Sequence, residues 1–161
     1  MTITIDGRIG KDVDHLADWS EKADKELFKK LTQDAGVIIM GSRTFDTIGK
    51  TLPERKTIVM TRKADRISDN LNLEFTGEPP QKILEKLESE GYEQVVVTGG
   101  SQINTLFARE GLIDEVWITL SPLIFGHGIS IFTEEIEMKL HLLDFEKIGE
   151  DSLFVRYAVF K

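Results

Sequence analysis

Asp24 closes the stretch Trp19-Ser20-Glu21-Lys22-Ala23-Asp24, just where Ala23, Leu27, Phe28 and Leu31 begin to recur at helical spacing with charges between them. The periodicity predicts a helix over Glu21 to Thr32, with Ser20 as N-cap and Glu21 favourable in the first turn. Asp24 then sits in that turn, one turn before Phe28 on the same face, so an acid borders an apolar surface. A carboxylate so placed can bind an amidine-like nitrogen group and supply negative charge where a cation develops. The same residue could equally do no more than stabilise the helix dipole.

Two other places could hold an anion. Arg43 and Thr44 open a short helix after Gly41, and Arg62 follows the next strand, so together they could bind phosphates at adjacent strand ends. Gly99-Gly100 follows an apolar strand and precedes a helix opening at Ser101, an arrangement in which unpaired amides at a helix N-terminus can hold a phosphate. The plainer alternatives are solvated arginines and a tight strand-to-helix turn.

The elements that must position these groups alternate between strand and helix. This favours an α/β three-layer sandwich with a mostly parallel central sheet. Expected strands are Thr2 to Ile5, Val37 to Met40, Thr57 to Met60, Leu71 to Phe75, Gln94 to Thr98 and Glu115 to Leu120. A helix is expected from Pro79-Pro80 to about Ser89, and another over Ser101 to Arg109. Ser121 to Gly128 reads as a loop. Leu140 to Ile148 and Leu153 to Phe160 read as an antiparallel C-terminal hairpin turning through Gly149-Glu150-Asp151-Ser152. No repeat or linker interrupts residues 1–161, which are read as one domain.

Composition and missing motifs exclude several classes. Lys+Arg 20 against Asp+Glu 28 gives a net charge of -8, which argues against nucleic acid or an anionic membrane as partner, and no segment is apolar enough to span one. There is no cysteine, hence no disulfide or thiolate chemistry, which suits a cytoplasmic location. His15, His127 and His141 are scattered without metal-ligand spacing, and Asp12, Asp14 and Asp18 lack the glycine and glutamate of a calcium loop. No G-x-G-x-x-G after a strand, no G-x-x-x-x-G-K-[ST] and no G-x-S-x-G occurs.

Three motifs in order carry a resemblance: W-x4-D ending in A-D-x-x-x-F, the run I-M-G-x-x-T-F-x-x-I-G-x-x-L-P-x-R, and a later G-G followed by D-E-V-W-I-T. With them the chain resembles the dihydrofolate reductase superfamily, which also contains the riboflavin-pathway pyrimidine reductases. The resemblance implies an NADPH-dependent oxidoreductase of one-carbon metabolism that reduces dihydrofolate to tetrahydrofolate by hydride transfer to C6 and protonation at N5. It puts Asp24 at the acid gripping the pterin, Thr119 at its threonine partner, and Trp19 where an indole helps hold water. Phe28, Ile48 and Leu52 fall where side chains pack around the substrate's rings, and Arg55 where an arginine pairs with the glutamyl carboxylate. Gly41, Arg43, Thr44, Thr61, Arg62, Gly99, Gly100, Ser101 and Gln102 fall at or beside NADPH-binding positions, with Arg62 chosen for the 2′-phosphate.

The chain also departs from that pattern. Its first strand is short, the loop between Gly10 and Trp19 is long, Asn104 stands in place of the usual tyrosine beside the nicotinamide, and Thr98 replaces an aliphatic residue. Thr4 to Ile9 and Ser121 to Gly128 look more like the riboflavin branch, which reduces a ribosylaminopyrimidine phosphate at the sugar. That reduction is the alternative activity, and a non-catalytic nucleotide-binding module is the third reading. The resemblance is compatible with a monomer or a homodimer.

Overall fold

The computed structural model describes every residue of Met1–Lys161 except Val13, Asp14, Leu16 and Ala17, so one member of the acidic trio in the first loop lies outside the described residues. Strands β1 (Thr2–Thr4) and β2 (Arg8–Gly10) precede helix α1 (Lys22–Ala35). Next come β3 (Val37–Gly41), α2 (Ser42–Ile48), β4 (Lys56–Met60), β5 (Leu73–Thr76) and α3 (Pro80–Ser89). The chain continues through β6 (Val96–Gly99), α4 (Ser101–Arg109), β7 (Glu115–Ser121), β8 (Ile129–Ser130), β9 (Leu140–Ile148) and β10 (Ser152–Val159).

The continuous apolar run of β3 is explained by cover on both of its faces. Val37 and Ile39 join Ile58 and Met60 beneath Ile83 and Leu87 of α3 and Phe107 of α4. Ile38 and Met40 point the other way and join Val59, with Phe45 and Ile48 of α2, Leu52 and Phe75 packed against them. Period-two alternation along one strand therefore feeds two cores and fixes helices on opposite sides.

Two four-stranded sheets result. One is wholly parallel in the order β5-β4-β3-β6, and the other, β1-β7-β10-β9, mixes a parallel β1–β7 pair with the antiparallel C-terminal hairpin. The expected α/β architecture is thus present, its strands divided between two sheets of which β1 and β6 are edge strands. On α4, Asn104 Nδ2 donates to the Ile131 carbonyl at 3.0 Å and lies 3.8 Å from the Met1 sulfur. Thr105 accepts the Thr133 amide at 2.9 Å, which further fastens the segment leading to β9 onto α4.

Local expectations shift in several places, β5 starting at Leu73 and β6 at Val96, each two residues later than expected. Glu21, not Ser20, is the residue at the N-cap of α1, and its carboxylate accepts the Glu150 and Asp151 amides at 3.0 and 3.1 Å instead of capping its own helix. A glutamate reaches the β9–β10 turn where a serine would not, and the Ser20 hydroxyl is left buried without a partner. Helix α1 runs on to Ala35, whose side chain is buried. The pairing of β2 with β8 was not anticipated from such short segments.

A carboxylate clasp sits beside β2. Asp6 accepts the Thr4 hydroxyl at 2.6 Å and the Phe125 and Gly126 amides at 3.2 and 2.8 Å, tying the β1–β2 turn to the loop after β7. The Thr4 hydrogen bond, opposed by desolvation and assisted by the two amides, holds Asp6 below the usual carboxylate range. A depressed folded-state pKa contributes stability above the unfolded-state value that is lost as pH falls through the folded-state value.

Two outcomes are expected. Phe107→Ala, at a position with no exposed surface, should cost about 3–5 kcal/mol in urea unfolding without a change in m-value. Asp6→Asn should lower stability at neutral pH and flatten the loss of stability on the acid side; a variant whose stability-against-pH curve overlays wild type would contradict the clasp.

Candidate active site

Asp24, Phe28 and Thr32 recur every four residues along α1 and so form one stripe. Asp24 is 8% exposed and Thr119, on β7, 3%. Among the described residues neither side chain has a hydrogen-bond partner. The Met1 nitrogen donates to the Trp117 carbonyl at 2.8 Å; burial holds its pKa below the usual value, opposed by the Asp24 charge. The Trp19 indole N–H is also buried and unpartnered, and its ring meets Phe125 edge-on at 5.3 Å. His15 approaches the same phenyl ring at 5.7 Å and Lys11 lies 5.3 Å above it, so the clasped loop helps hold Trp19 in place.

The far end of the stripe carries the opposite charge. Arg55 is 5% exposed and donates through Nε to the Pro53 carbonyl at 2.9 Å and through Nη1 to the Thr32 hydroxyl. Thr32 in turn donates to the Phe28 carbonyl at 2.6 Å, so the helix backbone itself orients the guanidinium. Burial depresses the Arg55 pKa and the Glu54 carboxylate opposes that shift; the group remains a cation. No carboxylate pairs with it among the described residues, and Nη2 is left over. Between the two charges, on α1, lies Phe28, half-buried; Ile48 and Leu52 pack on Ile38, Met40 and Val59. Thr32 escaped the motif reading, although its four-residue offset from Phe28 was available as a signal.

A second group of residues gathers at the carboxyl ends of β3, β4 and β6. Gly41 ends β3 against α4, and a Cβ there would lie 3.0 Å from Ile103. Gly99 has φ of +94°, a conformation that L side chains rarely adopt, and its bond to Gly100 is cis. The Gly100 amide donates to Thr44 Oγ1 at 2.8 Å, which draws α2 and α4 together. Ile103 and Asn104 send their amides to the Gly100 carbonyl, so Ser101 and Gln102 supply first-turn amides that α4 itself does not use. Thr61 accepts the Lys63 amide at 3.1 Å and turns the chain at Arg62. Arg43 and Arg62 are exposed and have no acidic partner among the described residues, whereas Arg66 is held bidentate by Asp46 and stacked 4.5 Å from Phe75. Thr98 donates to the Ile39 carbonyl at 3.2 Å, and Asn104 is committed to Ile131. Both altered positions therefore serve the backbone.

Among the described residues there is no cluster suited to a metal ion and no helix long and apolar enough to cross a membrane.

The chain can now be set beside known proteins. The sequence profile of the family described as dihydrofolate reductase matches residues 1–120. The uncharacterized protein YwjB of Bacillus subtilis is 26% identical over 159 residues, covering 93% of this chain and 90% of its own. In structure, a Shewanella sp. PV-4 protein named for riboflavin biosynthesis superposes with a TM-score of 0.81 at 19% identity, covering 100% of this chain and 97% of its own. The dihydrofolate reductase of Enterococcus faecalis, solved in complex with NADP(H) and RAB-propyl, gives a TM-score of 0.73 at 21% identity over 99% of this chain and 94% of its own. A profile match spanning most of the sequence, on a fold shared along the whole chain, establishes this protein as an oxidoreductase that belongs to the dihydrofolate reductase family.

Proposed function

We propose that the protein reduces 7,8-dihydrofolate to 5,6,7,8-tetrahydrofolate with NADPH. One observation carries this reading: among the described residues, a buried Asp24 with no hydrogen-bond partner and a buried Arg55 with no ion-pair partner stand at the two ends of the Asp24-Phe28-Thr32 stripe. Thr32, which holds Arg55, is eight residues beyond Asp24, a helical rise of about 12 Å. A ligand with an amidine-like head, flat rings and a carboxylate tail matches that order of charge, apolar surface and opposite charge. A phosphoribosyl substrate would leave the Arg55 end without a carboxylate to bind.

The residues at the strand ends fit a dinucleotide phosphate. Gly41 and Gly99 keep the backbone free of side chains, Thr44 and the amides of Ser101 and Gln102 offer donors, and Arg43 and Arg62 offer unneutralised charge. NADPH, when bound, supplies the hydride. Asp24 holds the pterin's 2-amino and N3 groups and favours its protonated form electrostatically, and Thr119, not bonded to the acid in this structure, joins it when substrate binds. Trp19 offers an indole donor to a water that can deliver the proton to N5. Phe28, Ile48 and Leu52 align the rings and exclude bulk water, which strengthens the Asp24 charge.

The riboflavin-branch alternative draws on the Asp6 clasp, which builds its loop from the segments that look most like that branch. Parallel assays with dihydrofolate and a ribosylaminopyrimidine phosphate separate the two, and turnover of the pyrimidine alone would overturn the proposal.

Within the proposed reaction, Asp24→Asn should lower kcat/KM for dihydrofolate by roughly 100-fold or more. Undiminished turnover would remove Asp24 from the chemistry. Arg62→Ala should weaken NADPH binding about tenfold while leaving NADH nearly unchanged, as measured by fluorescence titration; equal losses for both cofactors would refute the 2′-phosphate assignment.

A further inference from the structure

Where β10 begins, the mixed sheet has one face of hydroxyls and one of apolar side chains. Thr2 and Thr4 of β1 pair with Thr119 and Ser121 of β7, and paired residues share a face. Thr119 also stands opposite Phe154 of β10, so Ser152, two residues before Phe154, lies on that same face. The register carried one step past Leu153 and Leu120 sets Ser152 opposite Ser121. Ile3, Leu120, Leu153 and Val155 take the reverse face. Thr4, Thr119, Ser121 and Ser152 are each 3% exposed or less, so the hydroxyl face is interior.

Its hydrogen bonding is incomplete. Ser121 Oγ lies 3.2 Å from Thr2 Oγ1, which also lies 3.3 Å from the Thr119 carbonyl, so the Thr2 hydroxyl can turn toward either. Ser152 Oγ, Ser20 Oγ and Trp19 Nε1 are buried with no partner among the described residues. Ser20 and Ser152 flank one contact, in which Glu21 takes the amides of Glu150 and Asp151 just before Ser152. At the other end, the Met1 carbonyl accepts the Thr119 amide at 2.8 Å while the Asp24 charge bears on the Met1 nitrogen, so the row borders the acid. A buried hydroxyl without a partner costs stability that an apolar side chain of the same shape would not. Internal water held by several such groups satisfies them. Facing residues place their Cβ atoms about 5 Å apart, a gap that one water closes between two hydroxyls.

We propose, on the dihydrofolate reading above, that the row Ser152-Ser121-Thr2-Thr119 holds internal waters and feeds the proton that ends on N5, with Ser121 and Ser152 as its positioning residues. Reduction at C6 and protonation at N5 draw one proton from bulk solvent in each turnover. Every hydroxyl or water in the row gives a proton to the next oxygen toward the site and receives one from behind, and so ends unchanged. The outer end is the β9–β10 turn, where Glu150 and Asp151 are exposed and exchange protons with solvent. The inner end is the water offered a donor by the Trp19 indole, beside Asp24 and Thr119.

Valine and threonine are both β-branched and differ by one hydroxyl, so at a buried serine they share the same packing cost. Single-turnover reduction of dihydrofolate by NADPH should be about tenfold slower in Ser152→Val than in Ser152→Thr, with a larger solvent deuterium isotope effect and equal binding of both ligands. Ser121→Val and Ser121→Thr should differ in the same direction. Oxygen-17 relaxation dispersion of solvent water, which needs no turnover, should show long-lived internal waters in wild type and fewer in Ser152→Val than in Ser152→Thr. Equal reduction rates within each pair, or a wild type without long-lived internal water, would overturn the relay while dihydrofolate turnover, and with it the reductase reading, stands. A wild type that turns over no dihydrofolate would overturn both.

Discussion

Burial of β3 on both faces is the constraint on which the rest of the molecule depends. Val37, Ile38, Ile39 and Met40 expose almost nothing, and because successive side chains point in opposite directions, the strand must have a core on each side. That requirement places α3 and α4 beneath one face and α2 above the other. It also brings the carboxyl ends of β3, β4 and β6 into register, so that Gly41, Arg62 and Gly99 emerge along one edge although they are far apart in the chain. The cofactor-binding residues proposed above are a consequence of this packing.

The substrate side rests on a different economy of polar groups. Buried side chains normally find hydrogen-bond partners, and Thr32 and Arg55 do, through the Pro53 carbonyl and the backbone of α1. Among the described residues, Asp24, Thr119 and the Trp19 indole do not. The contrast separates groups engaged within the fold from those the proposed reaction would use. It also explains why Thr98 and Asn104, which depart from the dihydrofolate reductase pattern, leave the charged stripe intact: each is spent on a carbonyl, of Ile39 and Ile131, and neither competes for Asp24.

Much of the fold was legible because its signals are local. Continuous β-branched runs marked β3 and β4, Pro79-Pro80 marked the start of α3, and the span Ser101 to Arg109 coincides with α4. What escaped depends on partners distant in sequence. Glu21 occupies the N-cap expected of Ser20 because its carboxylate serves the β9–β10 turn more than a hundred residues away. The β2–β8 pair is too short to show periodicity, and the division of the sheet at β1 follows from pairing with β7, which no local pattern encodes.

By itself the sequence determined the superfamily and the chemical types available: an acid at the head of an amphipathic helix, arginines and glycines at strand exits, and no thiol. Those follow from residue identity and short-range spacing. Only the tertiary structure decided which of these groups are already engaged. Arg66 is neutralised by Asp46 while Arg43 and Arg62 are not, Arg55 is oriented by Thr32, and Asp24 is buried without a hydrogen-bond partner. Engagement is a matter of distance and burial between segments far apart in the chain, and those are set when β3 is covered on both faces.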